Sequence, residues 1–282
     1  MTVREGVVDN DGTAIHYLDW GGGGPPLILI HATGFLAALW RPIAERLASR
    51  FRVVAVDQRG HGDSDPSPDG YSFEGFADDL QRLIEALELE GALAAGHSSG
   101  GTTIVVHAAQ HPGVLRRAVL IEPILPRPEW FQRPPGGRNP NAMAEAARKR
   151  RGVWPSREEL FQTYRAKEMF ETWREDVLRL YVEEGTSERE DGQVELKCSP
   201  EIEAQYFDAV TDVDSPALLS KMTCPSLLLW GAKSHLLQFG MDQHVEEAIP
   251  HARTALVADT THFLPQERPD EVARLIEEFL SD

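Results

Sequence analysis

"ALAAGHSSGGTTIVVHAAQH", Ala92 to His111, decides the fold. Its first residues form a short continuous apolar run, the pattern of a strand buried on both faces of a parallel sheet. The stretch from Gly100 onward reads as a helix, and only Gly96-His97-Ser98-Ser99-Gly100 stands between the two. A G-x-S-x-G match alone arises by chance in about one chain in ten of this length, given ordinary glycine usage. Its place between a buried strand and a helix is much rarer. A strand that turns at once into a helix strains the residue at the apex, and flanking glycines remove side chains that would clash across the turn. Ser98 then projects alone above the sheet. The N–H of Ser99 lies at the positive end of the helix, where a developing oxyanion gains most. The plain structural alternative is a serine that merely caps a helix.

The same alternation extends in both directions. "AIHYLDW" (Ala14–Trp20), "LILIH" (Leu27–His31), "RVVAVD" (Arg52–Asp57) and "RRAVLIE" (Arg116–Glu122) read as further strands. Helical spacing lies between them at Leu39, Ile43 and Leu47, and at Phe76, Leu80, Leu83, Ile84 and Leu87. Strands and helices in this order predict an α/β fold with a parallel sheet covered on both faces. The rhythm breaks after residue 125: "PRPEWFQRPPGGRNPN" is rich in Pro and Gly. Two helices follow, with capping-box starts expected at Ser156 with Glu159 and at Thr172 with Glu175, and a stop at Gly185. "EREDGQVELKC" carries a DG turn signal beside a short strand. The alternation resumes with strands at Ser226–Trp230 and Arg253–Val257, and helices near Asp242–Ile249 and Pro269–Leu280. The expected organisation is one core, residues 1–125 and 216–282, interrupted by a mostly helical insertion, residues 126–215.

Composition narrows the function. The 282 residues are 41% hydrophobic and carry a formal net charge of −17, so phosphate backbones and anionic lipid are repelled. No nucleic-acid or membrane partner is expected. The one basic run, "AARKRR" (Ala146–Arg151), reads as a solvated face or a source of local ion pairs. Cys198 and Cys224 read as packed free thiols. The N-terminus has no basic region followed by an apolar run, and no stretch is long enough to span a bilayer, so a cytoplasmic monomer or homodimer is the expectation. Neither a clustered His/Cys set nor a phosphate-binding Gly loop occurs, and no metal or organic cofactor is expected.

A second oxyanion donor is needed opposite Ser99. "HATGF" (His31–Phe35) leaves the end of a buried strand and supplies it, through the N–H of Thr33 rather than Gly34. His31 is expected to tie this loop down through backbone hydrogen bonds.

Taken together, "HATGF", "DQRGHGDSD" (Asp57–Asp65), "GHSSGG" and "THFLPQERPDEV" (Thr261–Val272) resemble the signature run of the α/β-hydrolase family, in order and spacing, over nearly the whole chain. The resemblance implies a mostly parallel eight-stranded sheet with helices on both faces, an inserted helical cap, and a Ser–acid–His triad. "DQRGHGDSD" is then a structural loop. His262, after the last strand, takes the place of the general base, able to accept the Ser98 proton and return it to the leaving group.

The acid is out of place. In that family it usually follows the strand "SLLLW", where this chain has Ser234 and His235. Glu122 ends the neighbouring strand at the same sheet edge, and the order Ser98, Glu122, His262 fits the family order. A lone glutamate ending a buried strand also needs an explanation, since an unpaired carboxylate there is costly. Asp259, so near His262 in sequence, is badly placed for the far side of the ring.

A serine at this turn argues for acyl transfer to water through an acyl-enzyme: a carboxylic ester or lactone of a small, largely apolar substrate. A C–C bond hydrolase of diketone-type substrates and a non-enzymatic ligand receptor are the alternatives. Gly34, Phe35, Trp40, Leu236 and Phe263 are expected at the substrate pocket. The insertion's aromatics, among them Trp130, Phe131, Trp154, Phe161, Tyr164, Phe170 and Trp173, read more readily as core, and Arg127, Arg133 and Arg138 stand near its entrance.

Overall fold

The computed structural model describes residues 2–127 and 141–281. Most of the Pro/Gly-rich stretch, with Trp130, Phe131, Arg133 and Arg138, lies outside them. In chain order the first part runs β1 (Arg4–Asn10), β2 (Thr13–Gly21), β3 (Pro26–Ile30), α1 (Arg41–Leu47), β4 (Arg52–Val56) and α2 (Phe73–Ala86). It continues with β5 (Leu93–His97), α3 (Ser99–Gln110) and β6 (Arg117–Ile121). The inserted region holds α4 (Ala142–Arg148), β7 (Val153–Trp154), α5 (Arg157–Arg165), α6 (Glu175–Glu184), β8 (Thr186–Glu188), β9 (Val194–Leu196) and α7 (Pro200–Ala209). After α8 (Ser215–Leu219) come β10 (Ser226–Gly231), α9 (His235–Gln238), α10 (Met241–Ala248), β11 (Arg253–Val257), α11 (Leu264–Glu267) and α12 (Pro269–Ser281).

Eight strands form one sheet in the order β1-β2-β4-β3-β5-β6-β10-β11. Pairs from β4 to β11 are parallel, and only β1 and β2 run antiparallel to their neighbours. Buried apolar residues of the parallel strands point alternately into two layers. One holds Ile28, Ile30, Val54 and Leu228 with α2 and α3. The other holds Leu27, Leu29, Val53 and Leu229 with α1 and α12. Continuous apolar runs are thus what a sheet covered on both faces demands.

Strand β1 is absent from the sequence-based expectation. Its burial pattern is mostly exposed, so the apolar signal is thin. The chain did carry a cue: Asp11 and Gly12 both sit at positive φ, the two-residue hairpin turn that a DG pair favours. The inserted region is not purely helical either, since β7, β9 and β8 form a small antiparallel sheet.

Two start signals fared differently. Ser156 caps α5 by accepting from the N–H of Glu159 at 3.2 Å. Thr172 does not cap α6. That helix begins after Arg174, and the Thr172 hydroxyl instead donates to Glu267 at the end of α11. The basic run supplies local ion pairs: Arg148 with Glu201 and Asp208, Arg150 with Glu203, Arg151 with Glu159. Both cysteines are buried free thiols. Among the described residues no helix is long and apolar enough to cross a membrane.

A close backbone contact lies where α3 meets the sheet. A Cβ on Gly100 would stand 2.3 Å from the Ile30 carbonyl oxygen, and one on Gly96 would stand 2.4 Å from the Gly100 carbonyl. Relief of either clash would lift the helix off β3. Gly100→Ala is therefore expected to lose about 3 kcal/mol of stability or fail to fold. Gly23→Ala, where an added Cβ meets nothing within 4 Å, should be close to neutral. Urea denaturation of the two variants checks the contrast.

Candidate active site

Ser98 sits at the junction of β5 and α3 with φ 53° and ψ −115°, a strained conformation for a residue with a side chain. Two backbone bonds hold it there. Its N–H donates to Ile121 O at 2.8 Å, the last rung between β5 and β6, and its C=O accepts from Thr102 N at 3.1 Å, the first rung of α3. No acidic residue stands in the first turn of α3, so the positive end of that helix faces no competing carboxylate.

The HATGF loop is fixed peptide by peptide. His31 is fully buried and neutral, its burial lowering the imidazole. Its Nε2 accepts from Gln58 N at 2.9 Å and its Nδ1–H donates to Ala32 O at 2.8 Å. Histidine 31 thus ties the loop down as the sequence led one to expect. Gly34 N–H donates to His61 Nε2 at 2.9 Å, and Phe35 N–H donates to Ala32 O at 3.1 Å. Burial pushes His61 down to about 3, which keeps Nε2 free to accept. The Gly34 and Phe35 amides are thus engaged within the protein, while no such bond is seen for the Thr33 N–H among the described residues. The plane of that amide is set by Ala32 O, which accepts from both His31 and Phe35.

"DQRGHGDSD" is a brace for the same loop. Asp57 accepts from Ala37 N at 2.6 Å, from His16 Nδ1–H at 2.7 Å and from Asp63 N at 3.1 Å. These bonds, with His16 foremost, hold its carboxyl low against the cost of burial.

Glu122 lies immediately beyond β6, fully buried, with φ 50°. Its carboxylate reaches across the end of β10. Oε1 accepts from Gly231 N at 2.7 Å, and Oε2 accepts from Ser234 Oγ–H at 2.6 Å and from His262 Nδ1–H at 3.1 Å. Gly231 is required at this crossing: a Cβ there would stand 2.2 Å from Thr261 O, in the loop that carries His262. Ser234, where the sequence lacks an acid, is therefore a donor to Glu122. The rival does not compete. Asp259 is exposed and pairs with Lys233 at 2.8 Å.

His262 is gripped from two further directions. Its carbonyl accepts from His97 Nε2–H at 2.8 Å. The preceding Thr261 donates to Glu267 through its N–H at 2.8 Å and its hydroxyl at 2.6 Å. Burial pushes the His262 imidazole down to about 3, and the neighbouring His235 acts in the same direction. Burial raises Glu122 to about 7, while the Ser234 hydroxyl and the Gly231 amide pull it back. Ser98, Glu122 and His262 are all buried.

Of the expected pocket residues, Phe35 and Phe263 sit beside the site, their rings 6.1 Å apart and each 5 to 7 Å from a histidine of the His97–His262 pair: Phe35 6.1 Å from His97, Phe263 5.3 Å from His262. Gly34 is in the braced loop. Two expectations need correction. Trp40 packs in the layer of α1 and α12, because the short turn Ala37–Trp40 lays it against the sheet with Ile43 and Leu47. Leu236 packs into the opposite layer with Trp230, Met241 and Val245, drawn in by the Ser234 cap of α9. The insertion's Trp154, Phe161, Tyr164, Phe170 and Trp173 form a core with Phe35 and Leu39. His61, His97 and Glu267 were not identifiable as site-builders from sequence, since each acts through a hydrogen bond that only the folded loops bring about.

A family model described as the alpha/beta hydrolase fold matches residues 25–269. A 2-(acetamidomethylene)succinate hydrolase of Mesorhizobium japonicum is 27% identical over 264 residues, covering 92% of this chain and 89% of that protein. A bifunctional esterase/perhydrolase of Acinetobacter calcoaceticus is 37% identical over 123 residues, 43% of this chain and 45% of that one. Among solved structures, an E-2-(acetamidomethylene)succinate hydrolase shares the fold with a TM-score of 0.85 at 24% identity, over 100% of both chains.

The Glu122–His262 contact has a direct signature. A histidine Nδ1–H donated to a buried carboxylate should resonate far downfield in proton NMR of 15N-histidine-labelled protein. Glu122→Gln is expected to abolish that signal, while Asp259→Asn leaves it in place. Loss of the signal in Asp259→Asn instead would reassign the acid.

Proposed function

The chain belongs to the α/β-hydrolase fold family, and from that premise we propose that it is a serine hydrolase that cleaves a carboxylic ester or lactone through an acyl-enzyme. Ser98 is the nucleophile, His262 the general base and acid, and Glu122 the triad acid. The observation that carries this reading is the 3.1 Å contact of His262 Nδ1 with Glu122 Oε2, behind a serine on a positive-φ turn.

The chemistry follows from those atoms. With Nδ1–H committed to Glu122, His262 keeps Nε2 unprotonated, and the low basicity imposed by burial ensures a free lone pair at neutral pH. Nε2 takes the Ser98 proton as Oγ adds to the substrate carbonyl. The oxygen that becomes negative is met by the N–H groups of Ser99 and Thr33, the first at a helix N-terminus and the second in an amide whose plane is locked. The imidazolium, stabilised by the Glu122 carboxylate, then protonates the leaving alkoxide. A water molecule repeats the sequence on the acyl-enzyme and regenerates Ser98.

Phe35 and Phe263 beside the histidines favour a small, largely apolar acyl or alcohol part. The relative spanning 92% of the chain, named for 2-(acetamidomethylene)succinate, favours a second reading with an acid-bearing substrate of that kind. A panel of aryl esters, lactones and 2-(acetamidomethylene)succinate separates the two. The complete Glu122–His262 pair weighs against a ligand receptor.

Ser98→Ala should lower kcat by at least about a thousandfold while leaving the fold intact, and His262→Ala should cost a comparable factor. The double variant should be little worse than either single one, because triad members act as a unit. Additive losses would place His262 outside the triad. Glu122→Gln should lower kcat by roughly a hundredfold to ten-thousandfold.

A pH dependence follows with a fixed sign. Turnover needs Glu122 ionised and His262 neutral, and both states are reached as pH rises. With Glu122 raised to about 7, kcat/KM should climb through neutrality to a plateau. Ser234→Ala removes a donor that favours the carboxylate, so the climb should move to higher pH. An unmoved profile would mean that Ser234 does not stabilise the charge.

A further inference from the structure

The inserted region does more than cover the site. We propose that Tyr181, oriented by Arg150, is a positioning residue that locks the loop presenting the Thr33 N–H; the inference rests on the reading of Thr33 as an oxyanion donor.

Tyr181 stands on α6 and is buried against Phe35, their rings edge-on at 5.3 Å. Its hydroxyl donates to Gly34 O at 2.8 Å. The same oxygen accepts from Arg150 Nη2 at 3.0 Å. A guanidinium cannot accept a proton, so this contact fills a lone pair of the phenol and leaves the O–H pointing at Gly34. Burial raises the Tyr181 hydroxyl, which keeps the proton on it.

The effect reaches Thr33 through two peptide planes. Gly34 O and Phe35 N belong to one amide. Its oxygen is held by Tyr181 and its N–H donates to Ala32 O. Ala32 O and Thr33 N belong to the next amide in the relay, so fixing the oxygen aims the N–H. His61 holds the other side of Gly34 through its N–H. Gly34 has φ 80°, where no side chain stiffens the backbone, and these external bonds are what define its orientation.

Arg150 could instead be read as a binder of anionic substrate. The geometry opposes that. Its Nε and Nη2 donate to Tyr164 Oη at 3.2 and 2.7 Å, and its Nη1 pairs with Glu203, which neutralises the charge. The cavity that Arg150 and Tyr181 line with Gly34 has a volume of about 10 Å³, room for one water at most. Four of the five Arg150 N–H donors are thus used within the protein, and the space beside them is small.

Tyr181→Phe deletes the hydroxyl and keeps the ring. The oxyanion contact forms only in the transition state, so kcat should fall about tenfold or more while KM stays within about twofold. Affinity for an aryl boronic acid, whose adduct on Ser98 places an oxygen in the oxyanion site, should fall by a similar factor. Both are referred to the concentration of active sites titrated with a phosphonate, so a loss of folded protein does not enter. Arg150→Lys keeps a positive charge for Glu203 but loses the fork to Tyr181, and should show a smaller fall in both readouts. It serves if Tyr181→Phe does not fold.

Wild-type kcat per active site and wild-type boronate affinity in Tyr181→Phe overturn the proposal, as does a fall in active fraction alone. If Tyr181→Phe does not fold, wild-type values of both in Arg150→Lys overturn it. Ser98→Ala, run in parallel, separates the two levels. If Ser98→Ala still turns over, the serine-hydrolase reading fails. If Ser98→Ala is dead and Tyr181→Phe is unimpaired, only the positioning role fails.

Discussion

The structure depends on one close approach, that of the Gly100 backbone to the carbonyls of Ile30 and His31. A side chain at position 100 would overlap those oxygens, standing 2.3 and 2.7 Å from them. Because nothing intervenes, the N-terminus of α3 lies directly against the end of β3. That places the first turn of α3 beside the loop that leaves β3, so two distant stretches of chain meet without any dedicated linker. Ser98 absorbs the geometric cost as a left-handed φ of 53°. Its strain is maintained by the rungs on either side, which belong to the sheet and the helix respectively.

The carboxylate of Glu122 is the second organising element, and its chemistry is that of a buried charge made tolerable. Removing a carboxylate from water costs several kcal/mol unless hydrogen bonds replace the hydration. Here a backbone amide, a hydroxyl and an imidazole supply those bonds, from Gly231, Ser234 and His262. The strand order makes this possible. β10 lies between β6 and β11, so an acid on β6 must cross the end of β10 to meet a histidine after β11. It is hydrogen-bonded at the crossing, which turns a long reach into a rigid one. The residual penalty remains visible as a carboxyl raised to about 7.

The inserted region is attached through the loops that follow β3 and β11. Tyr181 meets the loop after β3, and Thr172 meets Glu267, which holds the loop bearing His262. Phe35 joins the same aromatic core as Trp173 and Tyr181. The inserted region and the loops at the sheet edge are thus one packed body at these points. A change in the inserted region is transmitted as a change in where the N–H of a core loop points.

The sequence alone determined the parallel strands, their cover of helices and the strained serine turn. Local rules act over a few residues, and these features are local: continuous apolar runs for buried strands, glycines for a tight turn, a helix beginning right after it. It also singled out Glu122, because a lone charge ending a buried strand is improbable without a partner. What only the tertiary structure decided are the contacts between loops distant in sequence. Ser234, which reads as a missing acid, is a donor to Glu122, 112 residues away. Thr172, which reads as a cap, is bound to Glu267. Trp40 and Leu236 lie near the catalytic loops in sequence but turn into the core. Side-chain hydrogen bonds and the direction of a residue in a short turn are set by what packs opposite, and that is fixed only once the sheet has brought the loop ends to a common edge.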